Sequence, residues 1–194
     1  MKTILKFEVI IIFTIFITAC SDVDQATAPV LEAKSVTQLA SKNGGSVINQ
    51  EYHDAQAEVL ATFGAIATSI TNGAGLGADS EYMDQLISFH AYGPKFVEFN
   101  GGIYDSAQNE QNERQTFGVA VRTVEDFSYV EGTLNIAVYY GNVANLTFLS
   151  DFDLILEDGS EAGNPVTLNN LITLLFVKTK GEWKMVHEHH SPVN

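Results

Sequence analysis

The sequence predicts an α+β domain, helices first and an antiparallel sheet after them, on three observations. Apolar residues between Val59 and Ile70 recur every three or four positions, as they do along one face of a helix. Beyond Gly118 they alternate instead, as in strands with one buried face. Glycine-rich and polar breaks separate the two regimes, so a curved sheet can wrap its concave face around the long helix.

The first helix rests on Val59, Leu60, Phe63, Ile66, Ala67 and Ile70, with Asn49 placed to cap it and Asn72-Gly73 to stop it. After the break at 72–77, residues 79–87 read as a second, short helix. Residues 89–99 hold the Gly93-Pro94 turn and a short strand, and the polar stretch 104–117 contains good helix formers, which predicts a third helix. Leu134, Ile136, Val138 and Tyr140 then alternate strictly. Gly141-Asn142 turns the chain, and Ala144, Leu146, Phe148, Phe152, Leu154 and Leu156 share one face that only Ser150 interrupts. Asp158-Gly159 marks another turn. Residues 168–177 are apolar on both faces, which predicts a strand covered by helices on one side and by a second copy of the chain on the other. A Lys180-Gly181 turn leads to the last strand, 183–191.

Composition narrows the function classes. Hydrophobic residues make up 45% of the 194, enough for a core, so wholesale disorder is excluded. Ten basic residues stand against 24 acidic ones, for a net charge of −14 and no basic cluster, which excludes a protein that tracks nucleic-acid phosphates. The single cysteine, Cys20, excludes an internal disulfide framework and a thiolate zinc cluster. No GxSxG, Walker-type glycine loop or HExxH occurs, and no cofactor is expected.

The N-terminus carries a targeting signal. Lys2 and Lys6 precede an apolar run from Val9 to Ile17, and Ile17-Thr18-Ala19-Cys20 closes it with small residues before the cysteine. That arrangement resembles a bacterial lipobox, which implies cleavage before Cys20 and acylation of its thiol. The run from Val9 to Ala19 is eleven residues, short of the roughly 18 to 20 that cross a bilayer. The expected organisation is a lipoprotein signal peptide over 1–19, the lipidated Cys20 with a flexible tether over 20–48, and a folded domain over 49–194. Ser21 after the cysteine resembles the signal for outer-membrane sorting, so the expected location is the cell envelope, on the periplasmic face of the outer membrane.

Gly181-Glu182-Trp183-Lys184-Met185-Val186-His187-Glu188-His189-His190-Ser191 is preceded by Tyr140-Gly141-Asn142-Val143-Ala144 and by Phe89-His90-Ala91-Tyr92-Gly93-Pro94-Lys95-Phe96. Together these resemble the SnoaL-like group of the nuclear transport factor 2-like superfamily, a cystatin-like fold, and also the association domain of calmodulin-dependent kinase II. The resemblance implies a cone in which helices pack into a strongly bent sheet, a pocket at the open end and a homodimer through the sheet. Members include isomerases, cyclases and dehydratases acting on apolar rings, and assembly domains without catalysis. The isomerases use a carboxylate base with a tyrosine and a protonated acid, a set that the sequence alone does not place. The association domain lines its pocket with arginines, whereas this chain has only Arg114 and Arg122.

Histidines are the remaining chemical signal. Strand alternation puts His187 and His189 on one face with Trp183 and Met185, and His90 matches a histidine of the association-domain pattern. Three readings stay open: packing residues, a pocket wall with acid/base capacity near neutral pH, and a zinc site formed by His90, His187 and His189. Tyr92, Lys95 and Tyr104, beside the Gly-Pro turn, are further candidates for the mouth of the cone. Asp126, Asp151 and Asp153 read as solvated residues. The function expected is a membrane-anchored cone domain that binds a small, mostly apolar molecule, with isomerase, cyclase or hydrolase-type chemistry. The alternative is a non-catalytic dimeric interaction module at the envelope, and whether the chain is an enzyme stays open.

The anchor yields the first test. Cys20→Ser is expected to abolish acylation and move the protein out of the detergent phase on phase partitioning; a mutant that stays with the membranes as the wild type does would remove the lipoprotein reading.

Overall fold

The computed structural model describes residues 52–159 and 161–193; the signal peptide, Cys20, the tether and the expected cap Asn49 lie outside the described residues. Helix α1 spans His53–Gly73, with Tyr52 at its N-cap position making no side-chain cap bond. Its buried stripe is Val59, Phe63, Ile66 and Ile70, as the periodicity requires. Helix α2, Glu81–Ser88, starts at Ser80, whose hydroxyl accepts from the Met83 amide. Helix α3, Ser106–Gln115, is capped by Asp105 and is shorter at both ends than the polar stretch implies. The chain then widens into a π-turn over Thr116–Ala120. Gly118 lies in it against Gly77, whose amide donates to the Gly118 carbonyl at 2.7 Å. A Cβ on Gly118 would stand 2.7 Å from the Gly77 oxygen, so the π-turn approaches the break this closely only with glycine at 118.

Among the described residues seven strands follow the expected order with two additions. β1 is Val97–Phe99, β2 Val121–Tyr129, β3 Asn135–Tyr139, β4 Val143–Leu156, β5 Pro165–Leu168, β6 Asn170–Thr179 and β7 Glu182–Pro192. The segments that became β2 and β5 lack clean alternation: β2 carries Arg122, Glu125 and Asp126 among its residues, and β5 is four residues long. The sheet is mixed rather than purely antiparallel, because β1 pairs parallel to β7.

β4 organises the sheet. Its first half pairs with β3 on one side and β6 on the other, and its second half with β2 and β5. The exchange falls at Ser150, which is fully buried; its hydroxyl donates to the Leu168 carbonyl at 3.0 Å and accepts from the Asn170 amide at 2.9 Å. The residue that interrupts the apolar face therefore satisfies the backbone where β5 ends and β6 begins. Ala144, Leu146, Phe148, Phe152 and Leu154 of β4, with Ile172, Leu174 and Phe176 of β6, close the core against α1 and α2. The other face of β6 exposes Leu171 and half-buries Leu175 and Val177.

Tight turns fix the hairpins. Lys180 and Gly181 both take positive φ, 54° and 88°, the two-residue turn whose twist matches the strands it joins.

Ser150→Ala is expected to cost about 1–3 kcal/mol, because it leaves a buried carbonyl and amide unpaired. Urea unfolding with an unchanged slope and a lower midpoint checks this.

Candidate functional site

The last strand does not keep its phase. Leu175 pairs with His187 but Phe176 pairs with Met185, so Val186 is an extra residue, a β-bulge. Before the bulge Trp183 and Met185 face the core; after it Glu188 pairs with inward Leu174 and His190 with inward Ile172. His187 and His189 turn to the opposite face, which corrects the expected grouping with Trp183 and Met185. There His187 Nδ1 meets the Val97 carbonyl at 3.0 Å, and Phe99 lies edge-on to both rings. The zinc set His90, His187 and His189 is thereby split between the two faces, and among the described residues no metal-ligating cluster forms.

Opposite the bulge the chain leaving α2 makes a detour of its own. The Ala91 amide donates to Met185 at 2.8 Å and the Met185 amide donates to Phe89 at 2.7 Å, so His90 is held beside β7. The chain then leaves the strand through the Gly93-Pro94 turn and rejoins it as β1, where Glu98 pairs with Glu188. Ser106 at the start of α3 clamps that turn, accepting from the Gly93 amide at 3.0 Å and donating to the Gly93 carbonyl at 2.6 Å.

These elements gather His90, Tyr92, Glu98, Glu113, Glu188 and His190 at one end of the core. Glu188 lies between two histidines, with Oε1 2.6 Å from His190 Nε2 and Oε2 3.4 Å from His90 Nε2. His90 Nδ1 faces the Leu86 carbonyl at 3.0 Å, so that nitrogen carries a proton and Nε2 is the one turned to Glu188. Tyr92 stacks on His90 with centroids 4.9 Å apart, and Phe96 stands edge-on to both rings. Glu98 is 5% exposed and Glu113 6%.

The charges follow from this packing. Burial would raise the Glu188 carboxyl, but the bonds and charges of His190 and His90 outweigh it and hold Glu188 well below the usual carboxylate range. Burial would lower His190; the bond to Glu188 and the charges of Glu188 and Glu98 raise it instead. Burial first and the Glu188 charge second push Glu98 up to about 7, against the pull of His90 and His190. The same causes, burial ahead of Glu188 and Glu98, lift Glu113 well above the ordinary range, and burial followed by the surrounding carboxyls raises Tyr92. Three buried atoms here have no partner within the protein: Tyr92 Oη, Glu98 Oε2 and, one turn before Glu113 on α3, Asn109 Oδ1; Glu188 Oε2 makes no hydrogen bond but is ion-paired to His90 at 3.4 Å.

Of the other candidates, Trp183 is buried at the far end of β7, donating to Glu58 of α1 at 2.8 Å, and does not join the cluster. Lys95 and Tyr104 are exposed. Sequence reasoning missed Glu98, Glu113, Glu188 and His190. The one trace was Glu98 itself, an acid inside the apolar run Phe96-Val97-Glu98-Phe99.

Residues 59–194 match the family model of the SnoaL-like domain. The chain belongs to the SnoaL-like domain family. Solved structures agree in fold. A nuclear transport factor 2-like superfamily protein of Salmonella enterica superposes with a TM-score of 0.59 at 18% identity, over 73% of this chain and 93% of that one. An NTF2-like family protein of Streptomyces avermitilis, put forward as a dehydratase, gives 0.57 at 15% identity, over 73% and 98%. The association domain of C. elegans CaMKII gives 0.51 at 12%, over 74% and 99%. No curated protein matches the chain. At these identities the likeness establishes the SnoaL-like cone and no activity.

The raised carboxyls make stability depend on pH with a definite sign. Glu98, elevated from 4.5 to about 7, destabilises the folded state progressively as pH rises from 4.5 through 7. His190, elevated from 6.5, contributes stability that is complete below 6.5 and is lost above it. Glu188, depressed, contributes stability that is complete above 4.5 and is lost in acid. Thermal unfolding is expected to be highest near pH 5 and to fall toward pH 8. Glu98→Gln should melt higher than wild type at pH 8, by on the order of 2 kcal/mol, and equally at pH 5.

Proposed function

We propose that the chain is a lipid-anchored SnoaL-like protein that binds a small molecule at the acidic end of its cone and moves protons there. The observation that carries this reading is the buried carboxyl and histidine cluster, with polar atoms that no protein group satisfies. Native interiors rarely leave such atoms unpaired, and functional sites are where they are kept. The chemistry fits proton transfer. Glu98, at about 7, is matched to donating or accepting a proton near neutrality. Glu188 is the fixed charge, oriented by His90 and His190, and Tyr92 is a hydrogen-bond donor that stays protonated. A carboxyl that changes charge, a tyrosine and Glu113, whose carboxyl burial pushes well above the ordinary range, correspond in kind to the base, tyrosine and acid of the superfamily's isomerases. The rings of Tyr92 and Phe96 offer contact for an apolar body, so the ligand has an apolar part and a polar head.

Attachment through Cys20 would hold the domain at the envelope, facing the periplasm. A homodimer through the outer face of β4 and β6 would cover Leu171, Leu175 and Val177.

The reading is tested by extracting the full chain from membranes and analysing what dissociates from it on denaturation by mass spectrometry. A small organic molecule is expected with the wild type and is expected to be lost with Tyr92→Phe combined with Glu98→Gln, a pair that preserves shape. Its equal recovery from the double mutant, or the absence of any small molecule, would overturn the assignment.

A further inference from the structure

The polarity of the cluster is one-sided, and on the reading of that end as a ligand pocket it specifies the ligand's head. Among the unpartnered atoms, Asn109 Oδ1 can only accept hydrogen bonds, and Glu98 Oε2 joins it once ionised; Tyr92 Oη both donates and accepts, and Glu188 Oε2, ion-paired to His90 at 3.4 Å, has a lone pair left for a further donor. The residues that bear them are shielded from solvent, with Asn109 1% and Glu98 5% exposed. The cluster's own histidines are already engaged, since His90 and His190 both face Glu188. Arg114 is held by Asp84 and Glu110 outside the cluster, and among the described residues no salt bridge reaches Glu98 or Glu113. Beside these acceptors stand π-faces: Tyr92 and Phe96 meet edge-to-face at 4.6 Å, and His90 stacks on Tyr92.

Clustered acceptors, an unneutralised carboxyl and aromatic faces are together complementary to an N–H-bearing cation. We propose that this end of the cone takes the protonated nitrogen of a small organic amine. Its N–H groups donate to Glu98, Glu188 and Tyr92, its charge is balanced by Glu98, and its first carbons rest on Tyr92 and Phe96. An anion would meet the Glu188 charge and acceptors with nothing to donate. A neutral alcohol donates one hydrogen bond where several acceptors wait. The ammonium also resolves a conflict within the fold, because β1 places Glu98 directly opposite Glu188 and a second negative charge there is otherwise repelled.

Binding is linked to pH. The titratable groups facing the site are His90 and Tyr92 from the turn after α2, Glu98 from β1, Glu110 and Glu113 from α3, and Glu188 and His190 from β7. Among them Glu98 changes charge near neutrality, at about 7, and the amine binds its carboxylate form. Loss of the His190 proton at higher pH acts in the same direction, since it leaves Glu188 less neutralised.

The test uses the full chain in detergent, with methylamine and benzylamine as cationic probes and benzyl alcohol and benzoate as the neutral and anionic counterparts of benzylamine. Thermal unfolding at probe concentrations of about 10 mM reads binding by mass action, and calorimetry gives affinities at about pH 6 and pH 8. Benzylamine is expected to raise the melting temperature and to bind about tenfold more tightly at the higher pH, as the ionised fraction of Glu98 grows. Benzyl alcohol and benzoate are expected to do neither. Glu98→Gln should weaken benzylamine at least tenfold and flatten its pH dependence to the smaller part that His190 contributes, while its own melting transition reports a folded protein; Tyr92→Phe should weaken it less. Binding of benzoate or benzyl alcohol as tight as that of benzylamine overturns the amine assignment and leaves the pocket standing. Failure of all four probes overturns the amine assignment as well. The pocket reading itself falls only if no small molecule is recovered from the extracted wild type either.

Discussion

The fold depends on one strand that changes partners without breaking. β4 runs unbroken for 14 residues, and along it the sheet exchanges β3 and β6 for β2 and β5. A strand can do this only if the backbone left over at the exchange is satisfied, and Ser150 does so by pairing with both Leu168 and Asn170. The sheet built on both halves of β4 packs against α1, with Phe63 on Phe148 at 5.0 Å and Phe148 beside Phe152 beyond it. A hydroxyl in the middle of an apolar face is thus what satisfies the backbone where the sheet changes partners.

The site depends on a second local irregularity. Val186 adds one residue to β7, and a one-residue slip exchanges the two faces of a strand. Without it, His187 and His189 would face inward and Glu188 would lie outside. The detour of 91–96 faces the same point, because the neighbouring chain cannot hold a regular parallel ladder across a bulge. The Gly93-Pro94 turn, the Ser106 clamp and the return to β7 as β1 are therefore parts of one arrangement, and it is this arrangement that sets Glu98 against Glu188.

How far the fold was legible follows from what each signal measures. The stripe Val59, Phe63, Ile66, Ile70 and the alternation along β4 register burial, and burial is what the core enforces; these read correctly from residue spacing. β5 is too short to alternate, and β2 carries charges on its exposed positions, so neither announced itself as a separate strand. Parallel pairing of β1 leaves no mark in three residues. The site was legible only in part: His90 and Tyr92 were found through the Gly-Pro segment. The inward pair on β7 was misassigned, because alternation presumes an unbroken phase and Val186 is as apolar as its neighbours. Glu113 sits in a helix whose polar sequence conceals a buried face.

A core that admits three carboxyls has to dispose of their charge, and the three are treated differently. Glu188 is held down because two histidines reach it; Glu113 is pushed up by burial first and by Glu188 and Glu98 after it; Glu98 stands between, pushed up by burial and by Glu188 and pulled down by the same histidines. Replacing such a cluster by well-packed apolar residues would stabilise the fold at neutral pH, since unpaired buried polar atoms cost about 1–3 kcal/mol each. Packing alone therefore gives no reason for the cluster, and the histidines alone do not satisfy it. A partner from outside the chain that supplies donors and positive charge removes both deficits at once. On the proposal made above, the acidity of the cone's end serves recognition rather than stability.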